Sequence, residues 1–177
     1  LAAKALILTI LTATRTSETL NAEWTEVNFD KSEWIIPKAR MKSGKQHRIP
    51  LSDPAIDLLT KLKSRNKSKF LFPGTKRGKP LSNLAMLMTL RRMERGDLTV
   101  HGFRSTFRDW IAEKTNYPQR VAETALAHQL KDASEAAYQR GDLIEKRVAL
   151  MQDWADYCFQ TESTKVVSLD DKRQQKN

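Results

Sequence analysis

Between Trp24 and Leu51 the hydrophobic period of the chain changes from helical to alternating and back, and this change narrows the folds open to it. Three short runs of β-formers, Trp24 to Phe29, Glu33 to Pro37 and Gln46 to Leu51, are separated by the turn signals Asp30-Lys31-Ser32 and Ser43-Gly44-Lys45. Connections this short join neighbouring strands, so the segment predicts one small antiparallel sheet. Elsewhere the spacing is helical. Leu1 to Leu11 reads as a helix ending near Thr14, and Ser52 or Asp53 caps a helix that opens on Pro54 and carries Ile56, Leu58, Leu59 and Leu62. Phe70-Leu71-Phe72 is an apolar anchor closed by Pro73-Gly74. Further helices are expected from Ser82 to Arg95, His101 to Lys114, Pro118 to Ala127, Ser134 to Arg140 and Leu143 to Phe159. The expected class is predominantly α with a small antiparallel β-sheet, an α+β fold.

The 177 residues are of ordinary size for one domain, expected over 1–160, and the polar stretch 161–177 reads as a mobile tail. No apolar run reaches the roughly 20 residues a membrane span requires. Leu1–Leu11 lacks the basic start and cleavage site of a signal peptide. With no initiator Met before it, it reads as the interior of a longer chain whose N-terminal domain is missing. Cys158, the single cysteine, has no partner for an internal disulfide and fits a reduced, cytoplasmic setting; its apolar helical context argues against a catalytic thiol.

Charge is more informative. Lys and Arg number 31 against 21 Asp and Glu, a net of +10. The excess is local: Lys61, Lys63, Arg65, Lys67, Lys69, Lys76, Arg77 and Lys79 fall between Leu58 and Pro80 with no acid among them, and Lys38 to Arg48 is likewise free of acids. A solvated basic face is the plain explanation, and a polyanionic partner the sharper one. The basic runs do not lie on one amphipathic helix, which disfavours a membrane surface and leaves nucleic acid as the leading partner.

Four local signals bear on chemistry. In His101-Gly-Phe-Arg104-Ser-Thr-Phe-Arg108, residues Phe103, Phe107, Trp110 and Ile111 make an apolar stripe with His101, Arg104 and Arg108 beside it. The helix start so formed suits a phosphate. Arg15 follows an apolar helix, with Glu18 three residues on and able to pair with it. His128 stands where a helix ends, and Tyr138 sits in a short element beyond it. Taken singly, each has an ordinary explanation: a surface arginine with a capping histidine, a surface ion pair, a helix-end histidine, a half-buried tyrosine.

Their order is the distinguishing feature. Arg15, a basic hairpin with Lys42, His101-x-x-Arg104, His128 and Tyr138 together resemble the active-site series of the tyrosine recombinases, the phage-integrase family. The flanking His47-Arg-Ile-Pro-Leu-Ser52, Leu126-Ala-His128, Ala137-Tyr-Gln-Arg140 and Met151-Gln-Asp-Trp-Ala-Asp-Tyr157 are similar to prophage and genomic-island integrases. Ala13 departs from the family's usual Gly. Lys42 fits the hairpin lysine best, with Lys38 and Lys45 close by.

The resemblance implies the fold of a tyrosine-recombinase catalytic domain over most of the chain. It implies DNA strand cleavage and rejoining through a 3′-phosphotyrosine, with Tyr138 as nucleophile and Arg15 and Arg104 on the phosphate oxygens. His101 would accept or relay a proton, Lys42 would protonate the leaving 5′ oxygen, His128 would bond a phosphate oxygen, and Glu18 would support Arg15. Lys45, Lys61, Lys63, Arg65, Lys67 and Arg108 are expected at the DNA backbone. No metal or other cofactor is expected. The partner would be double-stranded DNA at attachment sites, with a homotetramer of the full-length protein on paired sites. A type IB topoisomerase-like enzyme would use similar chemistry. A non-catalytic basic nucleic-acid-binding module would account for the charge but not for the ordered set.

Overall fold

The computed structural model describes residues 1–128 and 141–160. Helix α1 (Ala2–Thr12) is followed by the five-residue α2 (Thr16–Leu20), and three strands come next: β1 (Val27–Asn28), β2 (Glu33–Ile36) and β3 (His47–Pro50). Then come α3 (Asp53–Lys63), α4 (Ala85–Arg92), α5 (Gly102–Lys114), α6 (Gln119–Ala125) and α7 (Ile144–Phe159). The expected helix from Ser134 to Arg140 lies outside the described residues, as do Tyr138 and 161–177. No described helix is long and apolar enough to cross a membrane.

The sheet is antiparallel in the order β1-β2-β3, with Trp34 opposite Ile49 and Ile36 opposite His47. Side chains alternate across a pleat, so these four share one face, and all four are buried. The strand expected from Trp24 to Phe29 is shortened to two residues. Trp24–Glu26 forms a 3-10 turn, and the Trp24 N–H is bonded to Lys69 O (3.0 Å) instead of to β2. The turn also brings Glu26 Oε2 to the Trp34 indole N–H, at 3.0 Å. Likewise α4 begins at Ala85 rather than Ser82, because Ser82 O takes the Ala85 N–H (2.9 Å) in a preceding turn. Beyond Arg92, Glu94 adopts a left-handed conformation (φ 59°) and the helix does not reach Arg95.

The Phe70–Phe72 anchor is buried and runs beside Ala22–Trp24. Its closing turn needs glycine, since a Cβ on Gly74 would sit 2.4 Å from Pro80 O. Two apolar clusters result. One joins α1, the sheet, α3, the anchor and α4 through Leu8, Trp34, Ile49, Leu59, Phe72 and Met86. The other joins α5, α6 and α7 through Phe107, Trp110, Leu126, Leu150 and Trp154. Full burial of one such side chain stabilises by about 1.5–3 kcal/mol. Ile10 packs against both clusters, so the C-terminal end of α1 lies on the seam between them.

Candidate active site

The seam is where the chemistry-bearing residues gather. Helix α1 stops because Ala13 turns left-handed (φ 48°), a conformation that costs a residue with a Cβ about 1–2 kcal/mol. A buried run of threonine hydroxyls fastens the end of α1 to α2. Thr12 Oγ1 meets Thr14 Oγ1 at 2.8 Å, Thr14 meets Thr19 at 2.8 Å, and Thr9 lies 2.9 Å from Thr19. Arg15 is thereby extended (φ −78°, ψ 152°) and caps α2. Glu18, 3% exposed, receives it twice: Oε2 accepts the Arg15 backbone N–H at 2.8 Å and Oε1 the guanidinium at 2.7 Å. Arg40, from the turn after β2, donates to Glu18 O (2.6 Å) and Asn21 O and pairs with Glu26 at 3.2 Å.

Arg104 lies one turn into α5 from His101, which caps that helix and is exposed. A surface arginine is the plain expectation at this position, but Arg104 is buried. It donates to Ala13 O and, at 2.8 Å, to Leu126 O. Both carbonyls close helices, where the last turn leaves oxygens without intrahelical donors and the helix dipole is negative. Burial, then the nearby Arg15 charge, pulls Arg104 down to about 10, so it stays charged at neutral pH.

A third donor completes the seam. His47 Nε2 lies 3.1 Å from Ala125 O, and because a carbonyl only accepts, Nε2 carries the proton. Burial, reinforced by Arg147 and despite Glu18, pulls His47 down to about 4, so it is neutral at pH 7.

Helix α6 ends as α1 does, on a left-handed alanine, Ala127 (φ 48°). The Ala127 N–H bonds Thr124 O (3.1 Å) and the His128 N–H bonds Glu123 O (3.0 Å). This closure brings the His128 and Glu123 side chains together: Nδ1 to Oε2 is 2.6 Å. Arg108, expected at the DNA backbone, is ion-paired with the other carboxylate oxygen of Glu123 at 3.1 Å and remains half exposed.

The remaining basic candidates lie elsewhere. Lys42 and Lys45 are exposed on the β2–β3 connection, where Gly44 (φ 66°) closes a turn onto Met41 O at 3.0 Å. This connection leaves the sheet at the Ile36–His47 pair. Lys61 is paired with Asp57 (2.6 Å), and Lys63 stands 4.5 Å over the Phe29 ring. Phe29 follows β1 at the opposite end of the sheet, and Arg65 and Lys67 are exposed. The acid-free stretch is therefore partly neutralised by acids from outside it: Asp57 here, and Glu23 on Lys69 at 2.8 Å.

The other two tyrosines are engaged. The Tyr117 hydroxyl donates to Asp153 at 2.6 Å, and burial together with that carboxylate pushes it up to about 12. Tyr157 packs its ring on Trp110 and Trp154. Cys158, near the C-terminal end of α7, is exposed.

Sequence reasoning did not single out the threonine ladder, Arg40, His47, Glu123 or Arg147. The last is buried in α7, donates to Arg48 O and lies beside the bidentate Arg48–Asp142 pair (2.9 and 3.1 Å). Thr9, Thr12, Thr14 and Thr19 did carry a signal, being polar groups in an otherwise apolar stretch.

Comparison with known proteins agrees with this architecture. The family model described as the phage integrase family matches residues 2–143. Prophage integrase IntA of Escherichia coli is 38% identical over 161 residues, covering 89% of this chain and 39% of that protein. This chain thus spans about two fifths of the length of that relative. Among solved structures, the integrase of mycobacterium phage Brujita superposes with a TM-score of 0.68 at 16% identity, over 93% of this chain and 54% of that one. A lambda integrase tetramer bound to a Holliday junction gives a TM-score of 0.55 at 20% identity, over 80% and 42%. With Arg15, Arg104 and His128 drawn to one seam of a fold these integrases share, the chain belongs to the phage integrase family.

Proposed function

We propose that this domain cleaves and rejoins double-stranded DNA at specific sites through a 3′-phosphotyrosyl intermediate, in the integration or excision of a prophage or genomic island. The observation that carries the reading is the convergence of Arg15 and Arg104 where α1 and α6 end, with Glu18 bound to Arg15 and His128 two residues past the Leu126 carbonyl that Arg104 holds.

Attack on a phosphodiester builds negative charge on the non-bridging oxygens, and fixed cations aimed at them lower the barrier by several kcal/mol. Arg104 has five N–H donors. Two of its nitrogens are committed to carbonyls, and the remaining donors are those available to a phosphate. Arg15, partly exposed, offers the second set. Because these donors are held before substrate arrives, little reorganisation accompanies the reaction.

Tyr138 would attack phosphorus and form the covalent phosphotyrosine. His101 would accept or relay the phenol proton, and Lys42 would donate a proton to the departing 5′ oxygen. His128 would bond a phosphate oxygen. A 5′ hydroxyl attacking the phosphotyrosine reverses the chemistry, so no energy source is consumed. Lys45, Arg65 and Lys67, with Lys61 and Lys63, would meet the backbone and make affinity salt-dependent. A homotetramer of the full-length protein on paired sites would act on cytoplasmic DNA, and the tetramer is in line with the lambda integrase tetramer bound to a Holliday junction. Residues 1–160 would form the catalytic domain of that longer protein.

A nicked half-site whose short 5′ fragment diffuses away should trap a covalent adduct on Tyr138 through a 3′ phosphate, in excess chelator. Tyr138→Phe should bind this DNA and form no adduct. Peptide mapping to another residue, or a 5′ linkage, would overturn the reading.

A further inference from the structure

Glu123 lies outside the ordered set of Arg, Lys, His and Tyr, yet the fold aims its carboxylate at one member of that set. The left-handed Ala127 closes α6 with two backbone bonds, one from His128 N–H to Glu123 O (3.0 Å) and one from Ala127 N–H to Thr124 O (3.1 Å). In this motif the side chains of the first and last residues meet, ordinarily through an apolar contact. Here they meet through His128 Nδ1 and Glu123 Oε2, at 2.6 Å.

An ionised carboxylate only accepts, so Nδ1 carries the proton. The other nitrogen, Nε2, points away from that bond and has no partner among the described residues. The second oxygen of Glu123 is buried, accepts no hydrogen bond from the described residues, and is ion-paired with Arg108 Nε at 3.1 Å. The Arg108 charge therefore faces the carboxylate from α5 while the helix closure holds it from α6. An isolated surface pair would have neither restraint.

We propose that Glu123 is a positioning residue for His128: it holds Nδ1–H and so presents Nε2 to the DNA phosphate. This rests on the function proposed above and adds to it the residue that sets the orientation and tautomer of the histidine. Arg108, ion-paired with Glu123 and half exposed, would belong to the same unit.

The test has two independent arms. In the DNA-free protein, nitrogen-detected imidazole spectra at a pH where the ring is neutral should show His128 as the Nδ1–H tautomer. Glu123→Ala should release it to a mixture, and Glu123→Gln, whose amide oxygen still accepts, should retain much of it. On the half-site substrate, Glu123→Ala should lower the cleavage rate about tenfold or more with DNA affinity unchanged, by analogy with the carboxylates that orient metal-bound histidines. Glu123→Gln should recover part of the loss. In a His128→Ala background Glu123→Ala should have no further effect.

The proposal fails if the tautomer is indifferent to Glu123→Ala, if cleavage is unchanged, or if the loss adds in full to that of His128→Ala. A parent protein that forms no adduct would instead overturn the proposed function. The spectra alone would then decide whether Glu123 holds His128.

Discussion

The seam around Arg104 and the turn around Lys42 carry the same sign of charge, and the fold treats them in opposite ways. Arg104 is 6% exposed and bonded to the carbonyls that end α1 and α6. Lys42 is exposed on a turn closed by a single backbone bond at Gly44. Under the proposed function, the phosphate-holding group would need fixed geometry, which the meeting of two apolar clusters supplies. The group that follows a departing oxygen would need reach, which this loosely held connection leaves to it. Stability measurements should therefore separate the two regions sharply, even where both affect cleavage.

The largest effect is expected at Arg104. Arg104→Ala leaves the oxygens of Ala13 and Leu126 buried without this donor, and unfolding in urea should be easier by about 4 kcal/mol. Arg104→Lys keeps a charge but lacks the planar fork that spans both carbonyls, and should recover only part of this. A loss as small as that of a surface arginine would break the comparison.

His47 comes next, through pH. Its folded value of about 4 lies below the 6.5 of an unburied histidine. Between these pH values the unfolded chain binds a proton that the folded one does not. Stability therefore falls as pH drops through that window, by roughly 3 kcal/mol in all, and does not return below it. Urea midpoints at pH 7 and pH 5 should differ more for the parent than for His47→Gln. Equal differences would place His47 outside the seam.

Arg40→Met should cost about 1–2 kcal/mol by freeing the carbonyls of Glu18 and Asn21. It should also lower cleavage, since Glu18 is the support of Arg15. A stability loss with an unchanged cleavage rate would show that the outer clamp does not reach the site.

Ala127→Gly should stabilise by up to about 1 kcal/mol, because glycine adopts the left-handed conformation without the Cβ penalty and its greater unfolded-state entropy offsets part of the gain. Thermal unfolding reads this directly, and destabilisation would mean that the contact of the half-buried methyl group with the first apolar cluster outweighs the relief.

Lys42→Ala closes the series, with an expected change in unfolding free energy within about 0.5 kcal/mol. Cleavage should nevertheless fall by about 10²–10⁴, and a 5′ bridging thiol, a better leaving group, should recover much of it. Rescue of Lys45→Ala instead would move the acid to Lys45.

Much of this protein is legible in its sequence, because local rules suffice for it. The alternation at Glu33–Ile36 and His47–Pro50, the Pro54 start of α3 and the stripe Phe107, Trp110 and Ile111 each yield an element close to its observed bounds. The order of Arg15, Lys42, His101, Arg104, His128 and Tyr138 identifies the family. Less legible were the partners. Arg108 and Lys61 read as free cations because Glu123 and Asp57 sit on a neighbouring helix or one turn upstream. His47 read as part of a basic hairpin, since only the register that places it opposite Ile36 turns it inward.

Apart from the short α2 and the 3-10 turn at Trp24–Glu26, the sequence alone thus determined the described element types, the small sheet and the chemical inventory, all of which derive from side-chain period and residue type over a few neighbouring positions. Only the tertiary structure decided which cations are structural and which are free. That outcome depends on where helix C-termini fall in space: Ala13 and Leu126 are 113 residues apart along the chain, and both carbonyls reach Arg104 only after α1, α5 and α6 have packed. Once two such oxygens are buried side by side, a guanidinium is the one side chain with enough donors in one plane to satisfy both and still face a phosphate.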